Sequence, residues 1–395
     1  MNLGATKKAT TATLSVIVVI ESDREAEAAS REWHGFLHTR AIPSEVLIAR
    51  TADFGSSIAD QLQRASGEYL LVVFGSACDR AGEWFPRLWE QRAHAGMMLA
   101  GHSRARRGLL RSSGPIRRLA LRASQRLLSL PVLPDAGVVL CRRAALNRLP
   151  EAVRPFEWLL EAIVLANSDG WPVHRHAGLC EATLEPIGLG PRALWRLWVL
   201  RNSALSADYD ERAFNSIIPL QRYWHRRRHE IINGFVDSRT RILDVGCGSS
   251  RIVQDLPNAV GLDVQIKKLR RISPRTHKVV QATLTRLPFK SGSFDTLICS
   301  QVIEHVPEPL VDWREMNRVL TPGGTLVVGT PDYATLAWPV LERLYGIVHP
   351  KGYVHEHINH YTAASLDRAL ASHGFEPTAR AYVGRGELIV RARKI

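Results

Sequence analysis

Cysteine is scarce in this chain of 395 residues. The five cysteines (Cys78, Cys141, Cys180, Cys247 and Cys299) are scattered, and no two make a CxxC pair. That excludes a disulfide framework and a zinc site of the CxxC kind, and it points to a reducing cytoplasm. Long apolar runs are also missing. The longest candidate, residues 14–20, is strand-length, far short of the ~20 residues of a membrane span. The first thirteen residues carry two lysines and many threonines without an apolar core, and read as a loose tail rather than a signal peptide. Acids are in deficit: 38 against 52 basic residues, a net charge of +14. The basic groups lack interleaved aromatics and no nucleic-acid-binding motif accompanies them, which argues against a nucleic-acid partner.

What is present describes a soluble globular chain of α/β class. Hydrophobic content is 45% and charged content 23%, ordinary values for packed domains. The length exceeds one ordinary core and predicts two domains. In the first half, residues 15–20, 45–49 and 69–74 read as strands, and 23–38 and 58–65 as helices. That alternation predicts a mostly parallel sheet. Pro186-Ile187-Gly188-Leu189-Gly190-Pro191 is the best linker signal.

The densest chemistry lies in the second half. Residues 241–245 form a short apolar run that ends in the loop Asp244-Val245-Gly246-Cys247-Gly248-Ser249-Ser250. A second run ends in Gly261-Leu262-Asp263, 19 positions beyond Asp244. A β-α-β unit builds a nucleoside pocket with this pattern: glycines let the backbone approach a ligand, and the second acid meets the ribose hydroxyls. Dinucleotide folds share the pattern, so the residues downstream decide.

Those residues are Leu287-Pro288-Phe289, the stretch 293–300, Val302-Ile303-Glu304-His305-Val306, and Arg318-Val319-Leu320-Thr321-Pro322-Gly323-Gly324. From about Tyr223 onward the chain resembles the class I S-adenosylmethionine-dependent methyltransferases. The resemblance implies a Rossmann-like sheet, S-adenosylmethionine as cofactor, and a cofactor site made of Asp244, Gly246, Cys247, Gly248, Asp263, Thr283, Leu284 and Ser300. Asp244, Gly246 and Gly248 would line the amino-acid end and Asp263 the ribose. Thr283 stands where relatives often have an Asp toward adenine, Ser300 beneath the sulfonium, and Ser250 where many relatives have a third glycine.

Methyl transfer to a hydroxyl needs alignment and a base. The candidates are His305, Tyr333 beside Asp332, and the histidines of 349–361, among them His360; a His suits the task near neutral pH. His355, Glu356, His357 and His360 stand close together, yet their spacing does not match the helical zinc-protease motif, and a lid or acceptor wall is the preferred reading. No resident metal is expected. Residues 362–373 read as a helix closed by Gly374, and 387–393 as the terminal strand.

The first half has a resemblance of its own. Gly67-Glu68-Tyr69-Leu70-Leu71-Val72-Val73, the stretch 135–146, and 156–173 are similar to family 2 glycosyltransferases of the GT-A type. Such enzymes hold a metal-bound sugar nucleotide with carboxylates. Here the expected DxD reads Phe74-Gly75-Ser76 and the Asp pair after the second strand reads Arg50-Thr51, with Asp53 and Asp79 out of register.

Arginine supplies most of the positive charge. Residues 104–126 hold eight arginines, and Arg222, Arg226, Arg227 and Arg228 form a second group. In 115–130 apolar and arginine residues separate onto two helical faces, a form that can sit on an anionic membrane or on its own domain. The expected organisation is a GT-A-like domain at 13–187, linker helices at 188–222 and a methyltransferase domain at 223–395. The expected function is O-methylation of a sugar or lipid-linked glycan at the cytoplasmic side, with contact at the inner membrane face through 115–130. A glycosyltransferase acting on a polyprenyl phosphate, and a non-catalytic glycan-binding first half, are the alternatives.

Overall fold

A computed structural model describes residues 13–75, 81–93, 95–101, 128, 130, 136–148, 150–152, 154–177, 190–201, 206–276, 278–335, 338–339 and 357–395. Nearly all of the arginine-rich 115–130 segment, the proline-bounded stretch 186–189, Ser76, Asp79, His349, His355 and Glu356 lie outside the described residues. The chain divides into two compact units, Met1–Arg201 and Asn202–Ile395. The division falls inside the 188–222 stretch read as linker helices. Among the described residues, no helix is long and apolar enough to cross a membrane.

The first unit is a six-stranded sheet covered by helices. Its strands are β1 (Leu14–Ile20), β2 (Ser44–Arg50), β3 (Tyr69–Phe74), β4 (Met97–Gly101), β5 (Val138–Arg142) and β6 (Val173–Ala177). The helices are α1 (Asp23–His38), α2 (Phe54–Arg64), α3 (Ala81–Glu90), α4 (Pro155–Ser168) and α5 (Pro191–Arg201). Every residue of β1 and β3 is buried, which is why they read as continuous apolar runs rather than alternating ones. One core cluster holds Ile17, Val19 and Val72 with Trp158 of α4. A second holds Val16, Val18 and Leu71 with Trp33 of α1 and Phe85 of α3. Adjacent β1 residues thus divide between two cores, as period-2 strand geometry requires.

The strand order is β2-β1-β3-β5-β4-β6. β5 runs antiparallel to both β3 and β4, while the other pairings are parallel. The sheet is therefore mixed, where strand–helix alternation alone predicted a mostly parallel one. At the two positions where carboxylates were missed, β3 ends in the buried Phe74 followed by Gly75 at φ 73°, and Arg50 at the end of β2 pairs with Asp23.

The second unit is a seven-stranded sheet. The helices are α6 (Tyr209–Phe214), α7 (Pro219–Phe235), α8 (Ile252–Asp255), α9 (Ile266–Ile272), α10 (Trp313–Val319) and α11 (Ala363–Ser372). The strands are β7 (Ile242–Val245), β8 (Ala259–Asp263), β9 (Val279–Gln281), β10 (Phe294–Ser300), β11 (Leu320–Pro331), β12 (Phe375–Val383) and β13 (Glu387–Lys394). Their order is β12-β13-β11-β10-β7-β8-β9. β7 to β11 are parallel, and β13 is antiparallel to both its neighbours. The chain lays β8 and β9 on one side of β7, then crosses to lay β10 and β11 on the other. That reversal makes the carboxyl ends of β7 and β10 the topological switch point, the place where open α/β sheets take ligands.

Candidate functional site

The turn after β7 is shaped by two glycines. Gly246 sits at φ 69° and Gly248 at φ 56°, a region L side chains rarely adopt. Space forbids a side chain as well: a Cβ on Gly246 would strike the Val302 side chain, and one on Gly248 would come within 2.6 Å of an Asp210 carboxylate oxygen. The amides of Gly246 and Cys247 both donate to the Leu262 carbonyl, at 2.7 and 3.0 Å, which ties the turn to the end of β8. Asp263, the last residue of β8, accepts from the Gly248 amide at 2.8 Å and, through its other oxygen, from the Gln265 amide at 2.7 Å. The two glycines and Asp263 thus form one bonded unit.

Asp244 lies one strand over and is 3% exposed. Its Oδ2 has no hydrogen-bond partner among the described residues. Burial, with the Asp263 and Asp210 carboxylates nearby, holds its carboxyl well above the usual range. A buried acceptor without a donor, beside a backbone bend with no room for Cβ, is a feature a cationic amino group of a ligand would complete. Cys247 is buried, and its thiol is pushed well up by burial and the same acids, so it lines the turn as a small apolar group rather than a nucleophile. Ser300 closes β10 with a buried hydroxyl that has no partner among the described residues, packed against Gly329 of β11. Thr283 is exposed and its hydroxyl meets that of Thr285 at 2.8 Å. Leu284 is buried in the core with Leu243, Leu262 and Leu287.

Asp210 was missed by sequence reasoning. It lies on α6, in the stretch read as linker, and its Oδ2 accepts from both the amide and the hydroxyl of Ser249, at 2.9 and 3.0 Å. Lys268 of α9 pairs with the same oxygen at 3.6 Å. Burial works to raise the Asp210 pKa, but Lys268 and the Ser249 donors outweigh it and hold the carboxylate below its ordinary value. Neighbouring Glu211 pairs with Arg271 at 2.9 Å and Arg275 at 3.1 Å. The acidic run of α6 thus docks on the basic run of α9; that charge complementarity was the available signal.

A second group of side chains gathers beyond β10 and β11. Ile303, Glu304 and His305 form a single 3-10 turn. Asn359 clamps it, donating through its side chain to the carbonyls of Ile303 and Val306 at 3.0 and 2.6 Å. The amides of Ile358 and Asn359 both donate to the Glu304 carbonyl. These bonds lay the 357–361 segment along the turn. The His305 and His357 rings stand 4.9 Å apart, the Tyr333 hydroxyl lies 2.9 Å from His357 Nδ1, and Tyr333 stacks on the exposed His360 at 4.1 Å. The three expected catalytic residues, His305, Tyr333 and His360, are thereby brought together around His357. Burial and the neighbouring His305 and His360 charges push His357 down to about 4, so the ring is neutral near pH 7.

Glu304 is completely buried, and among the described residues neither carboxylate oxygen makes a hydrogen bond of good geometry; the Thr330 hydroxyl beside it is close enough to favour the charged form weakly. Burial, reinforced by the Glu387 charge, pushes Glu304 up to about 8. The turn is entered through Gln301, a non-glycine residue held at φ 60°. Strain of that kind persists only where the surroundings enforce it, and here the Gln301 amide is fixed to the Gly329 carbonyl at 2.8 Å.

Residues 243–328 match the family described as "Methyltransferase domain". A demethylmenaquinone methyltransferase of Staphylococcus aureus is 30% identical over 155 residues, covering 36% of this chain and 63% of that protein. The match therefore spans less than two thirds of the relative's own length. Among solved structures, an S-adenosylmethionine-dependent methyltransferase of Thermotoga maritima, described as a possible histamine N-methyltransferase, is 21% identical, covering 47% of this chain and 94% of that one at a TM-score of 0.40. An S-adenosylmethionine-dependent methyltransferase of Mesorhizobium loti is 19% identical, covering 42% and 96% at 0.34. Residues 243–328, within the second unit, match a methyltransferase domain, and the cofactor that this match implies is S-adenosylmethionine.

Proposed function

We propose that the chain is an S-adenosylmethionine-dependent methyltransferase that methylates an oxygen of a sugar or lipid-linked glycan intermediate in cell-surface polysaccharide biosynthesis. The observation that supports the transfer best is the bonded unit of Gly246, Gly248 and Asp263 beside the unsatisfied Asp244 carboxylate, at the switch between β7 and β10 in a region matching a methyltransferase domain. The bound cofactor supplies a methyl group already activated by its sulfonium. The chain aligns the acceptor and takes its proton. Asp244 would hold the amino end and Asp263 the ribose. The neutral His357, in contact with Tyr333 and near His305, is placed to accept a proton from a hydroxyl acceptor.

The glycan acceptor is supported by the resemblance of 13–187 to GT-A glycosyltransferases, a reading compatible with a mixed sheet in which one strand runs antiparallel. Because Phe74, Gly75 and Arg50 occupy the positions of metal-binding acids, that unit is read as a glycan-binding scaffold rather than a metal-dependent transferase. Contact of 115–130 with an anionic membrane belongs to the same proposal. A second reading follows from the Staphylococcus aureus relative, whose name indicates action on demethylmenaquinone: methylation of a quinone-type ring carbon. The Tyr333–His357 pair favours a hydroxyl acceptor.

Two measurements test this. Asp263→Ala should abolish S-adenosylmethionine binding in a calorimetric titration; unchanged affinity would defeat the pocket. Mass spectrometry of surface glycans from a deletion strain should show a lost methyl group. Intact glycans with a quinone precursor accumulating would favour the second reading.

A further inference from the structure

We propose that Glu304, His305 and His357 form a binding site for a divalent first-row transition ion of the Zn2+ type. One ligand atom from each of the three lies within 4.8 Å of the others. The residues come from two separated stretches, and the backbone bonds from Ile358 and Asn359 to the Glu304 carbonyl hold those stretches together. Two imidazoles and a carboxylate are a donor set that suits Zn2+, Fe2+ or Co2+ better than Mg2+ or Ca2+, which prefer all-oxygen surroundings.

The independent observation is the Glu304 carboxylate itself. It is 0% exposed, and among the described residues neither oxygen makes a hydrogen bond of good geometry; the Thr330 hydroxyl nearby favours its charge only weakly against burial. A buried carboxylate in that state needs an explanation, because an unpaired acceptor in a dry site costs free energy that a cation would return. Arg228, whose charge acts on Glu304, is already bound by both oxygens of Glu387. His305 and His357 are only partly buried, so the cluster is approachable from the side away from Glu304. The Tyr333 hydroxyl on His357 Nδ1 is the kind of outer contact that fixes the orientation of a ligating ring. Bonds of about 2.1 Å put tetrahedral ligand atoms roughly 3.4 Å apart, a spacing that fits within the 4.8 Å enclosing these three atoms. Three protein ligands leave a position for water or for an acceptor oxygen.

A role in transfer rests on the methyltransferase reading; binding does not. In that role a ligated His357 no longer takes the proton, and the ion would instead hold the acceptor oxygen and weaken its O–H bond. The proton would leave to solvent, the oxygen lone pair would form the bond to the methyl carbon, and the sulfur would retain the electrons of the broken bond.

The test uses the full-length chain, stripped with a chelator and titrated with Co2+, whose visible absorption reports ligand number. Wild type should take up one equivalent and show the bands of a four- or five-coordinate ion. Glu304→Gln keeps the side-chain shape and removes the charge, and it should weaken binding by at least about tenfold while retaining the thermal transition. His357→Ala, at a partly exposed position, should do the same and serves if Glu304→Gln fails to fold. S-adenosylmethionine affinity is measured on each protein, and should be unchanged. Equal Co2+ affinity in wild type and both variants, or no binding to wild type that still binds S-adenosylmethionine, overturns the metal site and leaves the methyltransferase reading standing. Co2+ bound with no S-adenosylmethionine binding would do the reverse.

Discussion

The Asp210 carboxylate is bonded to Ser249, with Oδ2 at 2.9 Å from the amide nitrogen and 3.0 Å from the hydroxyl. The glycine turn thus already holds a carboxylate, supplied by the chain. The expected register puts the amino-acid end of the cofactor, which carries a carboxylate, against the Asp244, Gly246 and Gly248 loop, whose free amides would receive that carboxylate. Two anions cannot share one amide, so a cofactor bound in that register must displace Asp210 or accept a weaker contact. Asp210→Ala is expected to tighten S-adenosylmethionine binding about five- to tenfold, roughly 1–1.4 kcal/mol, with Lys268 then left to face the ligand. Calorimetric titration measures it. A weaker affinity in the variant would make Asp210 a strut for the turn instead of a competitor.

Gly246→Ala tests the turn from the other side. The residue sits at φ 69°, and its Cβ would overlap the Val302 side chain. The expected loss is about 1–3 kcal/mol of stability from backbone strain, seen by urea denaturation, together with loss of cofactor binding. Adding Val302→Ala removes the overlap but not the strained φ, so the double variant should recover only part of the stability. Full recovery would mean that sterics, not backbone conformation, require glycine here.

Glu387 opens β13 and is fully buried against α7. It receives Nε and Nη2 of Arg228 at 2.6 and 2.7 Å, and the Trp224 indole N–H at 2.6 Å. Burial works against the Arg228 charge, but Glu387 overcomes it and raises the pKa. Removing one partner leaves the other charge in a dry site, which costs about 3–5 kcal/mol. Glu387→Gln should therefore lower the thermal transition sharply, while Arg228→Met with Glu387→Leu should be milder than Glu387→Gln alone. Differential scanning calorimetry separates the two.

How much of this was legible beforehand follows from what each residue depends on. β1 and β3 were readable because their burial makes nearly continuous apolar runs, and β7 because its short run carries Asp244 straight into a glycine turn. Thr362 was readable as a helix start, since its hydroxyl caps Ser365 and the helix ends before Gly374 at φ 78°. β12 was not read: its burial alternates and Pro377 interrupts it, the features of an edge strand that imitates a loop. The direction of β5 is set by its partners β3 and β4, which no local pattern encodes. Glycines and Asp263 announce themselves within one β-α-β unit. Asp210 meets Ser249 across 39 positions, and Glu304 meets His357 only because Asn359 bonds back to Ile303 and Val306. Sites assembled by such long closures leave no spacing to detect.

His225 on α7 is expected to set a pH dependence separate from the cluster of Glu304, His305 and His357. Its ring faces the Tyr209 ring at 6.0 Å, with Arg228 and Asp210 as the charges acting on it. Burial first, then Arg228, lower its pKa from 6.5 to about 3, against the opposing pull of Asp210. The folded state thus keeps His225 neutral where the unfolded chain would protonate it. Above pH 6.5 neither state binds the proton and the group has no effect on stability. Below pH 6.5 the unfolded state binds more protons, so stability falls as pH drops toward 3. Replacing His225 by Gln removes the titration and keeps a polar side chain of similar length. The unfolding free energy of the variant, measured by urea denaturation from pH 7.5 to 4, should therefore decline less steeply than that of the wild type below about pH 6.5. Parallel curves would mean that Asp210 stabilises the charged ring enough to cancel its burial, and that the acid sensitivity of this unit arises elsewhere.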